Sequence, residues 1–176
     1  MKKIAGCFLA LFIFYGTAAI AENTETENAE PETETIDNIL VEKKARRLYL
    51  RQGSKIVRIY KIALGPEPEG HKEKEGDGRT PEGKYVISGR NPHSAYHLSL
   101  RISYPNAEDK RRAARNKMSP GGDIMIHGFP NHAPDFFFDV IHKYKDWTAG
   151  CIAVTDTEIE EIWKLTPDNT PIEIRP

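Results

Sequence analysis

Cysteine is scarce in this 176-residue chain: there are two, Cys7 and Cys151. A disulfide scaffold is therefore excluded unless those two pair, and a zinc site built from Cys-x-x-Cys pairs is excluded outright. An excess of one charge is also missing. Lys and Arg number 25 against 26 Asp and Glu, a formal net charge of −1. Net charge thus makes no electrostatic case for nucleic acid or for anionic lipid. Long apolar runs are absent except at the start, where MKK is followed by IAGCFLALFIFYG. That run is too short to span a bilayer comfortably.

What is there at the start reads as an export signal. A positive start, a short apolar core and the small residues Ala19 and Ala21 around Ile20 predict a signal peptide over residues 1–21, cleaved after Ala21. The stretch Ile4-Ala5-Gly6-Cys7 resembles a lipidation site, but the apolar core follows Cys7 instead of preceding it, so Cys7 belongs to the discarded segment. The expected location is the periplasm, with no integral membrane segment after cleavage. Residues 22–38, ENTETENAEPETETIDN, hold almost nothing apolar and are expected to form a disordered acidic linker. Residues 39–176 have the length of one domain with its own core. Without MKK and the acidic stretch that domain is basic. Mild attraction to an acidic polymer and plain solubility account for this equally well.

The domain reads as mostly β. Alternation at Leu48 and Leu50, a Gln52-Gly53-Ser54 turn and β-branched residues from Ile56 to Leu64 predict a hairpin. GPEPEGHKEKEGDGRTPEGKY is dense in Gly, Pro and charge and predicts a long loop of the functional kind. Strand character resumes at Tyr85–Ser88, at His97–Pro105, at IMIHGF and at Ile152–Val154, and PIEIRP closes the chain. Helices are expected over 106–117, with Asn106 as N-cap, within DFFFDVIHKYKDW, and after Thr155, where Thr155 and Glu158 fit a capping box.

With Cys7 removed, Cys151 stands alone in an oxidising destination. It is an intermolecular bridge, a buried bystander or a reactive thiol. A reactive thiol needs a base beside it. His71 lies in the charged loop, His93 and His97 flank a strand start, His132 neighbours prolines and His142 sits among lysines. His127, at the end of an apolar strand and followed by Gly128, best matches the setting of Cys151. Gly150 allows a sharp turn before the thiol, so the amides of Gly150 and Cys151, with Ala149 third, are candidate oxyanion donors. His93 and His97 stand four apart, but they lack the glutamate of a zinc-protease helix and read as strand, so neither a metal nor another cofactor is expected. Arg79, Tyr96, Arg101 and Tyr104 are candidates for substrate contact and equally for structural roles.

Taken together, GDGRTPEGKYVI, SLRISYPN, GGDIMIHG and DWTAGCIAV, followed by a helix and PIEI, resemble the L,D-transpeptidase (YkuD-like) catalytic domain, motif by motif and in order. The resemblance implies a mostly β, sandwich- or barrel-like fold with a few peripheral helices. It implies a cysteine thiolate that attacks a peptidoglycan stem peptide at the third residue, releases terminal D-alanine and passes the acyl group to an amine. The outcome is a 3–3 cross-link or lipoprotein attachment, so stem peptides are the expected partner and a wall-linked lipoprotein a second one. By position Cys151 is then the nucleophile, His127 the base, Gly128 the residue whose carbonyl orients it, and Thr148 a supporting hydroxyl. Two positions depart from the usual pattern: Ala149 replaces a histidine and Ala153 an Arg or Asn. They look like a small proteobacterial branch with a DWTxGCIAV signature, in which hydrolysis of lipoprotein or stem-peptide bonds is the alternative outcome. Sortases and NlpC/P60 peptidases fit poorly, the first for want of a nearby downstream arginine, the second because cysteine precedes histidine. A non-catalytic wall-binding module is the remaining rival.

Overall fold

The structure is a computed structural model that describes residues 35–132 and 134–176. The expected signal peptide lies outside the described residues, as does the expected linker up to residue 34. Its last residues belong to the fold: Ile36 is buried and Asn38 opens the first strand. The eight strands are β1 (Asn38–Glu42), β2 (Arg47–Gln52), β3 (Lys55–Lys61), β4 (Gly83–Ser94), β5 (His97–Ile102), β6 (Met125–His127), β7 (Ile152–Ala153) and β8 (Pro171–Arg175). The three helices are α1 (Ala107–Arg115), α2 (Asp135–Tyr144) and α3 (Asp156–Leu165). No helix among the described residues is long and apolar enough to cross a membrane.

All strands join one mixed sheet in the order β3-β2-β1-β8-β4-β5-β6-β7. β1–β8 and β6–β7 are parallel, and the other pairs are antiparallel. The two ends of that order then meet. Just past β3, the Ala63 N–H donates to the Ala153 carbonyl at 3.0 Å and the Ala153 N–H returns the bond at 2.9 Å. Closure of this kind removes a sheet edge and gives the barrel-like form that the resemblance implies. Inward residues of β1, β2, β4, β6 and β7, among them Val41, Leu48, Leu50, Ile87, Ile126 and Ile152, are fully buried in one core. Ile159 and Ile162 add one face of α3 to it.

The capping chemistry is local and legible. Thr155 and Glu158 form the expected box at α3, and Asn106 forms a second with Asp109 at α1. β4 is longer than the Tyr85–Ser88 pattern predicts, running on through Pro92. Register shifts between Ile87 and Gly89 and between Asn91 and Ser94 interrupt its pairing with β5, which is how a strand accommodates a residue without an N–H.

Candidate active site

The closed end of the sheet brings His127 and Cys151 together. β6 ends at His127, whose register partners are Ser99 on β5 and Ala153 on β7. Cys151 immediately precedes β7, so in the parallel β6–β7 register it falls level with Met125, two positions from His127 along the adjacent strand and on the same face. They line a single cavity of about 430 Å³, with Tyr96, Asp123, Trp147 and Ala149 also on its walls.

His127 is held in one orientation. Its Nδ1–H donates to the Gly128 carbonyl at 2.7 Å, an assignment that leaves Nε2 as the acceptor nitrogen. Burial lowers its pKa to about 4, with the Gly128 bond opposing and His142 adding to the shift. The imidazole is thus neutral across the neutral range. Tyr96 lies 4.6 Å away, centroid to centroid, and Trp147 5.7 Å away at a steep angle. Gly128 is small for a reason of space: a Cβ there would stand 2.3 Å from Asp156 Oδ1. That carboxylate, at the start of α3, accepts the Phe129 N–H at 2.7 Å.

Cys151 is partly exposed, and its Sγ–H donates to the Asp123 carbonyl at 3.4 Å. Asp123 has a positive φ of 55°, the conformation that presents its carbonyl there. Burial pushes the thiol pKa up; a backbone hydrogen bond from Met125 opposes this and the Asp123 charge reinforces it. The resting pair is therefore a thiol and a neutral imidazole. Thr148 organises the turn between them. Its Oγ1 donates to the Cys151 carbonyl at 2.8 Å and accepts the Gly150 N–H at 3.1 Å. The Gly150 amide is thereby spent, and among the described residues the free amides of this turn are those of Ala149 and Cys151.

The charged loop of residues 65–82 fixes the turn from behind. Gly150 has φ 120°, and a Cβ there would lie 2.5 Å from the Arg79 carbonyl. Thr80 Oγ1 donates to the Gly150 carbonyl at 2.9 Å. Lys43, 1% exposed, reaches from the β1–β2 turn to the carbonyls of Gly70 and Thr80 and to Glu82 Oε1 at 2.8 Å. Lys72 holds Asp77 at 2.7 Å, and Asp77 also accepts backbone N–H groups of Glu73, Lys74 and Arg79. Those bonds, with Lys72 first, outweigh burial and lower the Asp77 pKa to about 2.

Of the other candidates, only Tyr96 reaches the cavity wall. Arg79 contributes its backbone, Arg101 pairs with Asp123 at 2.8 Å on the rim, and Tyr104 is buried with its hydroxyl on the Pro120 carbonyl. His71, His97 and His142 hold structural bonds to Asp109, Glu160 and the Lys61 carbonyl. The residues that sequence reasoning missed are Trp147 and Asp123. Trp147 belongs to the DWTAGCIAV stretch, and its place immediately before the Thr148 hydroxyl turn that leads to Cys151 was the signal.

The family model for the YkuD L,D-transpeptidase catalytic domain matches residues 37–174. The chain belongs to that family. This L,D-transpeptidase domain is 27% identical, over 94% of its length, to the YafK protein of Escherichia coli K12, which is named for the same family; it spans 64% of that protein. Among solved structures it is similar to the helical cell shape determining protein Pgp2 from Campylobacter jejuni, at 25% identity and a TM-score of 0.58, covering 82% of this chain and 51% of that one. Bd1075 from Bdellovibrio bacteriovorus matches at 29% identity and a TM-score of 0.52, over 82% of this chain and 49% of that one. An L,D-transpeptidase from Xylanimonas cellulosilytica, 14% identical with a TM-score of 0.53, shares the fold.

Proposed function

We propose that the protein is a periplasmic acyltransferase acting on peptidoglycan stem peptides through a Cys151 thioester. The observation that carries this is one cavity holding a lone thiol and a buried, neutral, carbonyl-oriented imidazole. In the first step Sγ attacks the carbonyl carbon of the third stem residue while its proton leaves for His127 Nε2. The Sγ–H bond to the Asp123 carbonyl is given up at this point. The oxyanion faces the free amides of Ala149 and Cys151, each worth ~3 kcal/mol at such a position. The C–N bond then breaks, His127 returns the proton to the departing D-alanine amine, and the thioester remains. An incoming amine attacks it, loses a proton to His127 and restores the thiol.

A second reading is hydrolysis on the same scaffold, with water in place of the amine. It is favoured by one residue. Ala149 is exposed on the cavity wall where the usual family pattern has a histidine, so a methyl group leaves room beside the acyl group.

Because the resting thiol is protonated, alkylation of Cys151 by iodoacetamide is expected to rise steadily between about pH 6 and 8, without a plateau from a preformed ion pair. Incubation with a carbapenem is expected to add one acyl adduct by intact mass, lost in Cys151→Ala. No adduct on the unaltered protein would sink the thiol-enzyme reading. Muropeptides and lipoprotein-linked sacculi then separate the outcomes: new cross-links or attached amines mark the transferase, release alone the hydrolase.

A further inference from the structure

α2 is apolar on two sides, and the fold uses only one. Phe138 packs against Phe129 and Trp147, and His142 is buried beside Phe129. On the other side Phe136, Val140 and Tyr144 recur at every fourth position with Phe137 beside them, a single stripe along the helix. Phe136 is 75% and Tyr144 81% exposed, and Phe137 and Val140 are more than half exposed. Large apolar side chains in a row on a surface mark something that covers them.

The C-terminal end of the stripe runs into a basic groove of about 450 Å³. Lys44, Arg46, Arg47, Lys61, Lys143 and Lys145 line it, brought together from the β1–β2 turn, the end of β3 and the end of α2. Its one carboxylate, Asp146, is consumed internally, paired with Arg46 at 2.6 Å and accepting the Leu64 N–H. Tyr144 belongs to both features, lining the groove with Lys61 Nζ 5.9 Å above its ring. The near-zero net charge conceals this asymmetry. The helix also carries exposed Asp139, whose charge acts on the groove-lining His142, so one carboxylate stands against the surrounding cations.

We propose that α2 and the groove dock this domain on an anionic lipid surface. The helix would lie in the interfacial plane with Phe136, Phe137, Val140 and Tyr144 among the acyl chains and the lysines on the headgroups. Exposed aromatic and aliphatic side chains flanked by Lys and Arg are the pattern that binds such interfaces, apolar burial and headgroup attraction adding together. Four side chains cover far less than the roughly 800 Å² per partner that a stable dimer buries, which argues against a second copy. A neutral glycan would leave the groove's cations unmatched. The proposal is independent of the chemistry at Cys151, although α2 leads through Trp147 to the cavity, so docking would hold the cavity mouth beside the surface.

The test is hydrogen exchange of the full chain, read at residues 135–145, with phosphatidylglycerol-containing or pure phosphatidylcholine vesicles. This local readout is not moved by apolar residues elsewhere that insert independently. Exchange across 135–145 should slow with the anionic vesicles only, and salt should weaken the effect. The triple change Phe136→Ser, Val140→Ser and Tyr144→Ser should abolish it while leaving carbapenem acylation intact. Lys143→Glu with Lys145→Glu should raise the lipid needed by about tenfold or more. Exchange unchanged by anionic vesicles would overturn the proposal. So would protection produced by glycan strands instead, or protection that grows with protein concentration in the absence of lipid.

Discussion

The loop of residues 65–82 and helix α2 both border the Cys151 turn, and they invert the usual relation between polarity and burial. The loop is charged and rich in glycine, yet it is built into the fold by two buried ammonium groups, a carboxylate with four donors and glycine contacts too close for a side chain. The helix is apolar, yet four of its six large apolar side chains face outward, and no side chain caps its N-terminus. The contrast teaches that burial follows partners. A cation that finds three oxygens can be interior, and a phenylalanine with no neighbour stays outside. The loop therefore has the rigidity to fix the Cys151 turn, and the helix has surface to offer.

The sharpest way to break the contrast is at Gly65. A Cβ there would lie 2.0 Å from the Gly78 carbonyl and 3.0 Å from the Gly150 nitrogen, so backbone on both sides would have to move. Gly65→Ala is expected to cost about 4 kcal/mol or to prevent folding, measured by urea unfolding. A midpoint equal to that of the unaltered protein would show the loop to be a loose cover, no different in kind from α2.

Between the two segments stands His127, and acid should expose its cost first. Its folded pKa of about 4 lies below the 6.5 of a free histidine. The stability of keeping it neutral is fully present above pH 6.5 and lost as pH falls toward 4, about 3 kcal/mol in all. Asp77 acts in a lower window. Its carboxylate is stabilising above 3.8 and loses that contribution as pH falls toward 2. Urea titrations at stepped pH should show the two losses separately. His127→Gln should remove the upper one. Asp77→Asn, expected to cost about 2 kcal/mol at neutral pH because it leaves Lys72 buried and uncompensated, should remove the lower one.

How much of this was legible in the sequence depends on the range of the forces. Caps are local, so Thr155 with Glu158 could be read directly, and the hairpin around Gly53 likewise. The candidate pair Cys151 and His127 could be read because each sits at the edge of an apolar run beside a glycine. The Ala63–Ala153 closure could not, since two alanines carry no sign of pairing across ninety positions of chain. Nor could the burial of Lys43, whose partners are mostly carbonyls of a loop that looks like solvent-exposed surface. The Gly150 amide looked free for an oxyanion because the hydroxyl that takes it, Thr148, was legible only as a support.

The smallest expected effect is at the helix, and it is the one that decides whether the contrast is real. If α2 owes its place to Phe138, Ile141 and His142, the stripe on its outer side contributes nothing to folding in water. Removing Phe136 and Tyr144 by substitution with serine should then change unfolding free energy by no more than about 0.5 kcal/mol, the range of ordinary surface positions. Tyr144 gives up a cation–π contact with Lys61, which at an exposed site is worth about 0.5–1 kcal/mol at most and is offset by exposing less apolar surface. A loss of 2 kcal/mol or more would mean that these side chains are covered by the chain itself. It would make α2 a structural element like the loop and take away the surface on which lipid docking rests.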